Sequence, residues 1–111
     1  MKLLFVPEAG KKNIGYQITG NSIDFNNEIS LNLETREREY NINVDICIDK
    51  SRSLVCGTAV GLKYVAQIFI PARKFNEIIG EPDSEGNPTL TIEPVRFNID
   101  NCTLTLWEME D

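Results

Sequence analysis

The chain is predicted to be all-β, an antiparallel sandwich or small barrel of about seven to nine short strands, and three observations predict it. Residues 40–48 place Tyr40, Ile42, Val44, Ile46 and Ile48 in strict alternation with Asn41, Asn43, Asp45 and Cys47. A strand sends successive side chains to opposite faces, so this run buries one face and wets most of the other. The β-branched residues fit a pleated, half-buried surface, and the run is long enough, at about 30 Å, to cross a small domain. The same alternation recurs in short segments punctuated by Gly, Pro, Asn and Asp. No segment keeps a 3.6-residue period for more than two turns, and there is no internal repeat.

Residues 2–6 are a short apolar strand stopped by Pro7, and residues 8–13 turn the chain. Ile14, Tyr16 and Ile18 share a face until Gly20-Asn21, and Ile23 with Phe25 supports a further short strand. Ile29, Leu31 and Leu33 alternate with Ser30 and Asn32, so residues 28–34 are expected to pair antiparallel with 39–48. Their link, residues 34–38, lacks the Gly or Asn of a tight primed turn and calls for a longer loop. Residues 54–56 and 62–70 flank Gly57 and Gly61, the pattern of a hairpin or bulged bend. Residues 63–70 carry apolar groups on both faces, as a central strand does. Pro71 ends that ladder, and residues 72–79 either continue as an edge strand, the favoured reading, or form one helical turn. Residues 80–88 form an exposed loop, and residues 89–92 and 95–99 form strands on either side of Glu93-Pro94. Residues 102–109 close the chain, with Leu104 and Leu106 on one face and Thr103, Thr105 and Trp107 on the other.

At 111 residues there is room for one domain, 1–111, and 41% hydrophobic with 25% charged residues is an ordinary globular balance. The net charge of −6 is unevenly spread. Residues 1–75 hold ten Lys/Arg against eight Asp/Glu, whereas residues 76–111 hold Arg96 alone against nine acids. This argues against a nucleic-acid groove in the last third and gives one acidic face suited to a basic partner or to the more basic part of a neighbouring copy. The three cysteines have no paired spacing, and with no histidine there is no zinc pattern. They are read as reduced thiols of a cytoplasmic protein, with Cys47, on the polar side of its strand, the most reachable. The apolar stretch before Pro7 is too short for a membrane span.

Catalysis lacks its usual parts. The commonest general base is absent, no Ser or Cys sits in a nucleophile motif, and Gly57–Gly61 matches no phosphate-binding loop. The chain is therefore read as a non-enzyme that needs no cofactor, metal or small-molecule substrate. The candidate binding residues are Tyr64, Arg73, Lys74, Phe75 and Trp107. Aromatic Tyr64 and Phe75 with Arg73 and Lys74 would suit a single-strand nucleic-acid platform, but a pI near 4.6 opposes it. Trp107 beside acidic residues would suit either an interface anchor or a seal over the end of the core.

The segments Ile70-Pro71-Ala72-Arg73-Lys74-Phe75 and Cys102-Thr103-Leu104-Thr105-Leu106-Trp107 resemble stretches in small proteins encoded by phages and conjugative elements of Gram-positive bacteria. The resemblance covers roughly the second half of the chain and implies a virion, element-maintenance or host-interaction role. The expected function is a protein–protein interaction or assembly module, with self-association favoured. The alternatives are a single-strand nucleic-acid-binding barrel and an acidic nucleic-acid mimic that occupies a host protein through residues 76–111.

Overall fold

In the computed structural model, which describes residues 1–57 and 63–109, the apolar alternation becomes three sheets. The strands are β1 (Lys2–Val6), β2 (Tyr16–Thr19), β3 (Ser22–Phe25), β4 (Ile29–Asn32), β5 (Ile42–Ile48), β6 (Leu54–Cys56), β7 (Lys63–Ile70), β8 (Phe75–Gly80), β9 (Thr89–Pro94) and β10 (Thr103–Trp107). The main sheet runs β1-β10-β7-β5-β6, the second runs β2-β3-β4, and β8 with β9 makes a separate two-stranded ribbon. All pairings are antiparallel except β1 with β10. None of the three sheets closes into a barrel, and the ten strands among the described residues slightly exceed the number expected.

The core lies between the first two sheets. In the main sheet Val44 faces Ile68, Ile46 faces Ala66 and Leu104 faces Ile68, so one face is continuous hydrocarbon. The other sheet contributes Ile23, Phe25 and Leu31, and all of these belong to one buried cluster. The opposite face of the main sheet carries Asn43, Asp45, Gln67, Phe69 and Thr103, and there Gln67 Nε2 donates to Asp45 Oδ1 at 2.9 Å.

Several expectations change. Residues 29–32 pair with β3 rather than β5, because a 3₁₀ turn at Glu34–Arg36 carries the chain from one sheet to the other. Tyr40, expected to begin the organising strand, is 63% exposed and precedes it. Residues 95–99 do not form a strand; the chain enters a 3₁₀ turn at Ile99–Asn101, capped by Asn98 Oδ1 accepting from the Asp100 amide. The expectation of an extended segment after Pro71 is met by β8. Residues 54–56 do not form a hairpin with 63–70, since β6 pairs with β5 on the side away from β7, and most of the bend at 57–61 lies outside the described residues.

Cys47 is 2% exposed, not the reachable thiol. A register shift between Ile46 and Cys47 sets Cys47 opposite Tyr64 and leaves Val65 as the extra residue, so Val65 and Ala66 both join the core, whereas Cys47 is buried outside the core cluster. Cys56 is the exposed thiol. Burial pushes the Cys47 thiol up, with the Asp45 carboxylate adding to it, and burial pushes Cys102 up to about 11. A thiol held protonated by the fold stabilises it fully below the unfolded-chain value and loses that contribution as pH rises through the folded value. Stability in denaturant titrations is therefore expected to fall between pH 9 and about 11, with a shallower fall in Cys102→Ala. In the native protein a thiol reagent should modify Cys56 well before the other two. Equal rates at all three would contradict the placement.

Candidate protein interface

Between Phe75 and Pro94 there are five acids and no Lys or Arg, and this is the segment that leaves the body of the protein. The molecule measures 70 × 28 × 23 Å, with a radius of gyration of 19.0 Å where a compact chain of this length would have about 13 Å. Its surface of 7604 Å² likewise exceeds the roughly 6,200 Å² expected for its mass. The excess belongs to an arm formed by β8 and β9, in which no residue is buried and none joins the core cluster.

Register fixes what the arm displays. Directly opposed residues in an antiparallel ribbon share a face. The pairs Phe75–Pro94, Glu77–Ile92 and Ile79–Leu90 therefore make one face, and Asn76–Glu93, Ile78–Thr91 and Gly80–Thr89 make the other. The first face is apolar but for Glu77, and it is open: Ile79 is 78% exposed, Ile92 62% and Leu90 56%. An isolated two-stranded ribbon is marginal in water, and apolar groups left in solvent forgo the stabilisation that burial provides.

The arm is nonetheless held firmly at both ends. At the root the Arg73 amide donates to the Arg38 carbonyl at 2.7 Å, the Ala72 amide to Asn41 Oδ1 at 2.8 Å, and the Val95 amide to the Lys74 carbonyl at 2.8 Å. Arg73 Nε meets Glu37 Oε1 at 3.1 Å, and its terminal nitrogen also reaches the Glu37 carbonyl. At the tip Asp83 Oδ1 accepts from the amides of Glu85 and Asn87, and Gly86 takes the left-handed φ of 81° that this turn requires. Gly80 is required by close approach, since a Cβ there would meet Thr89 Oγ1 at 2.6 Å.

The Lys74–Val95 bond also sets which groups point outward. Hydrogen-bonded and open pairs alternate along an antiparallel ribbon. Phe75, Glu77 and Ile79 therefore aim their backbone groups away from β9, and Pro94, with no N–H, sits where the outward donor of β9 would be.

The five residues singled out in the sequence divide between the two ends of β7. Phe75 is in the arm, and Arg73 and Lys74 are in its root. Tyr64 lies at the other end of β7, about 20 Å away along the strand, stacked on Trp107 with ring centroids 5.6 Å apart. Trp107 Nε1 is enclosed without an acceptor among the described residues, while its carbonyl accepts from Asn13. Beside this stack is a depression of about 480 Å³ lined by Lys12, Lys50, Arg52 and Lys63, by Asp49 and Glu108, and by apolar Ile48, Val65 and Met109. Sequence reasoning missed this depression because its cations come from three separate segments. It also left the arm unrecognised, although the absence of any cation from residue 75 to residue 94 was a visible signal.

Among the described residues no group of three or more His, Cys, Asp or Glu could hold a metal ion, and no helix is long and apolar enough to cross a membrane. No family pattern matches the chain, and neither the curated proteins nor the solved structures include a significant match to it.

If the root bonds set the arm's direction, Arg73→Ala should speed amide exchange across β8 and β9 severalfold while core exchange stays unchanged. The global cost should be roughly 1 kcal/mol, because the guanidinium is about a third exposed and water screens the pair. Arg73→Lys should not restore protection, since an ammonium cannot span both Glu37 oxygens as the planar fork does. Uniform loss across the whole fold would count against a local role.

Proposed function

We propose that this protein is a non-enzymatic assembly module and that the β8–β9 arm is its working surface. The observation that carries this reading is the arm's apolar face, with Phe75, Ile79, Leu90 and Ile92 all exposed on a ribbon that is anchored at its root and capped at its tip. Contiguous apolar surface on a small protein marks contact with another macromolecule more often than chance exposure does. Self-association is the form of contact favoured here, and a role in a phage or mobile element accords with it. The single-strand nucleic-acid reading has less support, because Tyr64 stands at the opposite end of β7 from Arg73, Lys74 and Phe75.

Sedimentation equilibrium should show a mass that grows with concentration into the hundreds of micromolar. Replacing residues 76–93 by Asn-Gly should leave a folded monomer with an unchanged β-type circular dichroism band. The milder pair Ile79→Thr and Leu90→Thr should weaken association about tenfold or more. A wild-type protein that stays monomeric throughout, or one that associates equally well without the arm, would overturn the reading.

A further inference from the structure

The arm and the depression lie at opposite ends of the central sheet. β7 runs from Lys63, Tyr64 and Val65, which line the depression, to Ile70, after which Pro71 to Lys74 lead into the arm. β5 and β10 are antiparallel to β7, so Ile48 and Trp107 belong to the depression's end while Ile42 and Thr103 belong to the arm's end. The two ends offer side chains of opposite sign. The arm holds Glu77, Glu81, Asp83, Glu85 and Glu93 without a cation. Among the described residues the depression is lined by four cations and two carboxylates; Lys12 and Lys63 are already engaged, so Lys50 and Arg52 are the cations it offers to an incoming acid.

We propose that the occupant of the depression is the arm of a second copy of this chain, its acidic tip set among Lys50, Arg52 and their neighbours. The apolar flank of the ribbon then lies toward Tyr64, Ile48 and Met109. This inference rests on the arm being the assembly surface and adds what it docks against.

Charge selects this arrangement over its rival. Packing two arms face to face would set both Glu77 carboxylates in the seam and leave the acidic tips without a basic partner, and like charges across an interface are disfavoured. Size points the same way. A ribbon about 20 Å by 10 Å is well short of the ~800 Å² per partner that a standard interface buries, so a stable contact needs the tip and flank seated in a concave surface. A contact between unlike ends is heterologous, so it generates a ring or a filament instead of a closed pair.

The test uses charge reversal in the full chain. Lys50→Glu with Arg52→Glu alters the depression, and Glu81→Lys with Glu85→Lys alters the tip while sparing Asp83, which holds the turn. Each double variant alone is expected to lose association by about a hundredfold or more, and wild-type association should weaken as salt rises. A one-to-one mixture of the two variants is expected to recover assembly, because each tip then meets a depression of opposite sign. Recovery on mixing also shows that both variants are folded. If the arm is needed for assembly but both reversals associate as the wild type does, or if mixing restores nothing, the docking site is wrong and the assembly reading stands. If wild-type association does not depend on the arm, that reading fails as well.

Discussion

The pairing of β7 with β5 determines where everything else in the molecule sits. Seven matched positions, from Ile42–Ile70 to Ile48–Lys63, place Val44, Ile46, Ala66, Ile68 and Ile70 on one buried face. Hydrocarbon burial on that scale is non-directional, but a ladder with a period of two is not: a slip of one residue would turn the whole set to solvent. The register is therefore strongly specified. With it are specified the stack of Tyr64 on Trp107 at one end and the departure point of the arm at the other.

Much of this was legible in the residues. The alternation at Ile42, Val44, Ile46 and Ile48 located β5, and Leu104 with Leu106 located β10 on the other side of the central β7. Which strands pair was less legible. Ile29–Asn32 and Ile42–Ile48 look like two halves of a hairpin because each alternates and they are close in sequence. The 3₁₀ turn that separates them is built from local bonds, Arg36 amide to Leu33 carbonyl and Thr35 amide to Asn32 Oδ1, that carry no hydrophobic signature. Cys47 was misplaced for a related reason. It lies outside the core cluster, opposite Tyr64 and its stack on Trp107, and cover supplied by other strands leaves no mark in the alternation of its own.

The arm shows a different limit. Phe75, Ile79, Leu90 and Ile92 have the pattern of a core-facing ribbon, and periodicity alone cannot say whether a core is there to receive them. In this chain it is not: the connection through Pro71 to Lys74, tied to residues 37–41, aims the ribbon away from the two packed sheets. The same property makes the arm and the depression separate features. One is continuous in sequence and unpacked, the other is packed and gathered from distant segments.

Pro94 has a consequence for growth. Exposed ribbons with two free edges can act as templates and recruit copies of themselves without limit, the route by which soluble proteins become insoluble fibres. Here a strand added beside β9 would find no donor at its base, whereas the flank of β8 is complete. The ribbon is thus a one-sided template, able to accept a neighbour but poorly suited to pass the order on.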